Sequence, residues 1–202
     1  MIYHPQEAEA LRAEIAALAA RMIAEDGADY ASAKQKAARQ ILGKQKVRGD
    51  YLPDNAEIEQ QVREYNEIFF GDTQPARLRQ LRELALELME QLQEFQPYLV
   101  GSVLNGTAGE HSDIYLHLYP DNIKEVSIFL LNKDVQFDVG EGSRDDVEET
   151  LSFMHRREGV HLIVHDRDAI RRGGTKASER ADIGALRRLL EETASASDTE
   201  SE

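Results

Sequence analysis

The sequence of 202 residues has no cysteine and no tryptophan, and it contains only five prolines. Without cysteine there is no disulfide framework and no thiolate-bound zinc. No apolar run approaches the roughly 18–20 residues that cross a bilayer, so no membrane partner is expected. The N-terminal stretch is helix-patterned and acidic, without the basic-then-apolar layout of a secretory signal, and the expected location is cytoplasmic. Basic residues are also scarce, 24 against 38 acids, for a formal net charge of −14. That balance excludes a chain that coats nucleic acid or an anionic membrane over its whole surface.

One segment runs against this charge. Residues 31–48 carry Lys34, Lys36, Arg39, Lys44, Lys46 and Arg48 and no acid. The plain reading is a solvated helix face, and the functional one is a contact for a protein or RNA partner. No aromatic residue is interleaved among these cations, so the segment gives no support for reading single-stranded bases by stacking.

The first third of the chain is patterned as helices. Leu11, Ile15, Leu18 and Met22 recur at steps of four, three and four, which predicts an amphipathic helix over 6–24. A second helix is expected over 30–42, stopped by Gly43. A third is expected over 55–69, started by Asp54 with Glu57 three residues on and facing inward through Ile58, Val62, Tyr65 and Phe69. The longest pattern is Leu78, Leu81, Ala85, Leu88, Leu92 and Phe95, with Pro75 in its first turn and Pro97 at its end. This run is short for a coiled coil, so packing within the domain is the better reading.

Strand signals follow. Tyr98–Val100 leads into Gly101-Ser102, and after a turn-rich loop Asp113 opens an alternating segment. Ile114, Leu116 and Leu118 would share one face of it, and Asp113, Tyr115, His117 and Tyr119 the other. A helix over 123–131 and a short strand over 135–139 bearing Asp138 come next. Val147, Leu151 and Met154 then predict a helix from 143 to 157, and Gly159–His165 reads as a last strand. Residues 171–179 read as loop, 180–193 as a final helix, and 195–202 as a disordered acidic tail.

The spacing within this second part carries a resemblance. Gly101-Ser102 is followed by ten residues and then by Asp113 in the run Ser112-Asp113-Ile114. This is similar to the nucleotidyltransferase superfamily typified by DNA polymerase beta and by small bacterial nucleotidyltransferases. The signature there is Gly-Ser at a strand end, Asp-x-Asp on the next strand and a third acid on a later one. The resemblance implies an α+β fold, a nucleotidyltransferase-like mixed β-sheet packed with helices, over 75–194. A helical N-terminal region, 1–74, would precede it.

It further implies that Gly101 and Ser102 hold nucleotide phosphates and that Asp113 and Asp138 hold Mg²⁺ as the catalytic carboxylates. His117 would be an accessory group on the same face, and a nucleoside triphosphate the partner. Where the signature has its second aspartate, however, this chain has Tyr115. A phenol of pKa near ~10 is neutral at pH 7 and is a poor ligand for a hard divalent cation.

Three histidines were weighed beside these. His111 lies in the loop next to the expected site, and His161 and His165, four apart on a strand, would need a third ligand to bind metal. Two functions follow. One is transfer of a nucleotidyl group from a Mg²⁺-bound triphosphate to a hydroxyl, at a metal site degenerate through Tyr115. The other is a non-catalytic nucleotide-binding or protein-interaction module, because a fold does not carry its activity with it.

Overall fold

The computed structural model describes residues 5–43, 51–141, 147–172 and 180–199. The chain divides into two compact units. One comprises residues up to Arg77 together with Thr107–His111, and the other comprises Leu78–Gly106 and the residues from Ser112 onward. The short segment Thr107–His111 thus belongs to the first unit, away from its neighbours in sequence.

That first unit is helical: α1 (Pro5–Asp26), α2 (Tyr30–Leu42), α3 (Asn55–Phe70) and the first turn of α4 (Gln74–Gln91). Its core is Ile15, Ala16, Ala19 and Ala20 of α1, Ala33, Ala37 and Ala38 of α2, and Ile58 and Val62 of α3. Alanine costs little side-chain entropy and allows helices to approach closely, and much of this interface is made by alanine. Leu11, Leu18 and Met22, expected to form the buried stripe with Ile15, are only partly buried at its margin. Phe69 points outward, 61% exposed, and Asn66 takes the inward position.

The helix starts of α2 and α3 are made by side chains, as the sequence predicts at Asp54. Asp29 accepts from the Ser32 amide, and Asp54 and Glu57 form a reciprocal capping box. Glu57 also accepts from Arg12 of α1, at 2.6 Å.

The second unit is built on a five-stranded mixed sheet of order β1-β2-β5-β4-β3. The strands are β1 (Tyr98–Val100), β2 (Ile114–Leu118), β3 (Asp138–Glu141), β4 (Val147–His155) and β5 (Glu158–His165). β2 and β5 run parallel, and the other neighbours are antiparallel. Ile114, Leu116, Leu118, Leu151, Val160, Leu162 and Val164 are buried on one sheet face. Leu81, Ala85, Leu88 and Met89 of α4, Val126 and Leu130 of α6 (Lys124–Asn132) and Leu186 of α8 (Ile183–Thr199) are also buried in this unit. The sheet alternates as predicted for β2, apolar inward and polar outward.

Three expectations change. The helix expected over 143–157 is instead strand β4, whose Leu151 and Phe153 turn inward at a step of two. It returns into β5 through a two-residue turn in which Arg156 and Arg157 both have positive φ, 48° and 73°. That conformation matches the twist of a hairpin, but glycine and asparagine usually signal it and arginine does not. The strand expected over 135–139 begins later, at Asp138. α8 continues to Thr199, so the first residues of the expected disordered tail are helical, while residues 200–202 lie outside the described residues, as do Lys44, Lys46, Arg48 and most of the loop expected over 171–179. Among the described residues no helix is long and apolar enough to cross a membrane.

Acid should weaken the helical unit at a defined contact. Hydrogen bonds from Arg12 and from the Asp54 amide hold the Glu57 carboxyl below its ordinary value of 4.5. The stabilisation is therefore present above the unfolded value and is lost as pH falls through the lower folded one. Arg12→Ala should lower the melting temperature at pH 7, and the gap to wild type should narrow as pH falls below about 4.5 in thermal melts.

Glu149 has the opposite sign. Burial raises its carboxyl, and its Oε1 atom is buried without a hydrogen-bond partner. Ionised Glu149 therefore costs stability at neutral pH and costs none once protonated. Glu149→Gln should raise the melting temperature at pH 7, and that gain should vanish in acid.

A candidate site at the head of strands β2 and β5

The motif halves come together at one end of the sheet. Val100 of β1 pairs with Tyr115 of β2 in antiparallel register, so Gly101-Ser102 and Asp113 lie at the same end. Gly101 has φ +73°, a conformation L side chains avoid, and no neighbour stands within 4 Å of where its Cβ would be. The backbone turn, not crowding, is what asks for glycine there.

Residues Gly101–Asn105 then form the short helix α5, closed by Gly106. Its carbonyls are held by a buried cation on α4. Arg82 donates from Nε to the Val103 carbonyl and from Nη2 to that of Leu104, each at 2.9 Å. A guanidinium fork suits two adjacent carbonyls, which a lysine could not hold in the same way.

The loop between the halves is organised in the helical unit. Carbonyls of Thr107, Ala108 and Glu110 accept from Asn66, Gln74 and Arg77 respectively. His111 packs in that unit too, against Gly27, where an added Cβ would stand 2.8 Å from its own Cβ.

Asp113, with its side chain 43% exposed, is engaged from the neighbouring strand. Its Oδ2 atom is 3.0 Å from His161 Nε2 of β5. The approach depends on Gly159, because a Cβ on that residue would lie 2.2 Å from Asp113 Oδ1. His161 continues the chain of contacts, with Nδ1 2.9 Å from Ser152 Oγ of β4. Tyr115, 39% exposed, stacks on the His161 ring with centroids 4.6 Å apart and planes 22° from parallel.

His117 and His165 are a separate pair further along the same face, with Nδ1 of the first 3.0 Å from Nε2 of the second. His165 is buried and lies flat against Tyr119. The two β5 histidines, considered together as metal ligands in the sequence, thus have different partners.

Asp138 is not brought to Asp113. It sits on the edge strand β3, in register with Ser152, and the strand order puts β4 and β5 between β3 and β2. Three inter-strand steps amount to about 14 Å, too far for two carboxylates to share one ion. On the side of β2 away from β1 the neighbouring strand is β5, and the residue in register with Tyr115 there is His161. The three positions that face one another are therefore Asp113, Tyr115 and His161. Among the described residues no group of three or more histidine, aspartate and glutamate side chains could hold a metal ion. A two-ion Mg²⁺ site does not fit this donor set, since only one of the three positions carries a carboxylate and His161 engages it.

No protein-family model matches the chain, and no curated protein does. A solved structure of a cytoplasmic RNA terminal U-transferase overlaps it with a TM-score of 0.31 at 17% identity, over 56% of this chain and 31% of that one. The chain thus spans less than a third of that protein. An overlap of this size is no evidence of a shared activity.

The sequence reading missed His161 and Ser152 as members of the site. Their signal was present in the alternation of β5, but Ser152 lay in a segment that read as helix. Two variants test the geometry. Arg82→Met should cost about 3 kcal/mol in chemical denaturation by stranding two buried carbonyls. Gly159→Ala should push Asp113 off His161, visible as a changed imidazole environment in NMR spectra with the sheet intact.

Proposed function

We propose that the chain is a nucleotidyltransferase-type module that has lost nucleotidyl transfer and is retained for nucleotide binding. The observation that carries this reading is that, of the three facing positions, only Asp113 is an acid, beside Tyr115 and His161, and one oxygen of its carboxylate meets the imidazole. Losing metal ligation removes several kcal/mol of transition-state stabilisation, and each ~1.4 kcal/mol is tenfold in rate. The Gly101-Ser102 turn remains as a place where phosphate oxygens can approach the backbone and the Ser102 hydroxyl. Any Mg²⁺ would arrive on the triphosphate, and Asp113 is the one carboxylate among the three facing positions.

A second reading, a protein-interaction module, is favoured by one observation in the helical unit. Ile68 and Phe69 of α3 are 73% and 61% exposed side by side. The contact for protein or RNA expected at Lys34–Arg48 belongs to this reading, with Lys34, Lys36 and Arg39 on α2.

Calorimetry with ATP and UTP, with and without Mg²⁺, should show binding by the wild type that Gly101→Val weakens about tenfold or more. Labelled triphosphate should give no transfer to protein or to added lysate. Transfer that disappears in Asp113→Ala would instead establish an enzyme. Absence of nucleotide binding would leave the interaction reading. The double variant Tyr115→Asp/His161→Asp returns carboxylates to both facing positions, and Mg²⁺-dependent transfer appearing only there would mark a retired site.

A further inference from the structure

On β4, β5 and the head of β2, three side chains form a continuous hydrogen-bonded line: Ser152 Oγ, the His161 ring and the Asp113 carboxylate, at 2.9 and 3.0 Å. We propose that Ser152 is a nucleophile, with His161 its general base and Asp113 the positioning residue, acting on neutral carboxylic esters. This is independent of whether the chain binds nucleotide.

The protonation pattern follows from the donor inventory. An ionised carboxylate can only accept, so neutral His161 carries its hydrogen on Nε2 and donates it to Asp113. Nδ1 is then left with a lone pair, and the Ser152 hydroxyl donates to it. The resting arrangement thus already aims the serine proton at the base, as an activated nucleophile requires.

Two further features hold the imidazole in that tautomer and plane. Tyr115 stacks on its ring, and Gly159 leaves the space that the Asp113 carboxylate fills. Ser152 and His161 are neither fully buried nor fully exposed, so a reagent can reach them.

The substrate class follows from charge. Asp138 lies in cross-strand register with Ser152, and Asp113 stands beyond the imidazole. Phosphate esters, which carry negative charge, would meet carboxylates on both sides, whereas an uncharged acyl ester would not. In the first step Ser152 Oγ bonds to the acyl carbon as its proton passes to His161 Nδ1. The alkoxide leaves and takes that proton. Water then attacks the acyl-serine through the same base, the Oγ–acyl bond breaks, and the acid is released with Ser152 restored.

β4 is paired on both edges, so its amides serve the ladder instead of a developing oxyanion, and turnover should be slow. Covalent labelling is therefore the direct readout. The full chain, treated with an alkyl fluorophosphonate and separately with p-nitrophenyl acetate, should acquire one adduct, mapped by peptide mass spectrometry to Ser152. Ser152→Ala should lose the adduct, and Ser127→Ala, a serine on α6, should keep it. Asp113→Asn and Gly159→Ala, checked for folding by circular dichroism, should slow labelling on the order of a hundredfold while leaving Ser152 in place. A folded wild type that gives no adduct, or one at another residue, overturns the proposal. So does labelling of Asp113→Asn at the wild-type rate, which would reduce the line to cross-strand hydrogen bonding.

Discussion

The parallel pairing of β2 with β5 is the constraint on which the second unit turns. It decides which residue faces Tyr115 and therefore what chemistry the head of the sheet can perform. In sequence Asp138 follows Asp113 by one helix and is the natural candidate for a neighbouring acid. In space the chain lays β3 and β4 outward first and returns only with β5 to lie beside β2. Through that return Asp113 meets an imidazole, and the face beside it is aromatic and basic where a metal site would be acidic.

The same pairing organises polar contacts across strands. Ser152, His161 and Tyr115 are register partners in one row, so their side chains emerge on the same face of the sheet. Cross-strand neighbours of this kind are the units from which sheet faces draw their interactions. The opposite face of the central strands is apolar and buried, and on the polar face His165 is buried as well. The two faces thus divide the work of stability and chemistry with little overlap, apart from Glu149, one of whose carboxyl oxygens is buried without a hydrogen-bond partner.

Much of this was legible in the residues, for identifiable reasons. The start of α3 was readable because Asp54 and Glu57 signal it, and β2 because its alternation is strict. The alanine face of α1 was harder to see, since a stripe of small residues does not stand out from a helix-forming background. β4 was misread because Val147, Leu151 and Met154 fall at helical steps while its hairpin turn uses two arginines in place of the usual glycine. Strand order was not legible at all. It depends on which edges meet after folding, and Asp138 was assigned to the site because the resemblance asks for a third acid on a later strand.

Gly159 carries a consequence for how this surface can change over evolutionary time. A larger side chain there would evict the Asp113 carboxylate, and a change at 115 or 161 alone would leave an unstacked ring beside it. The residues at 113, 115, 159 and 161 are thereby bound to one another, so that drift at any one is felt by the rest. Any change toward an ion-binding surface would have to cross that valley in paired steps.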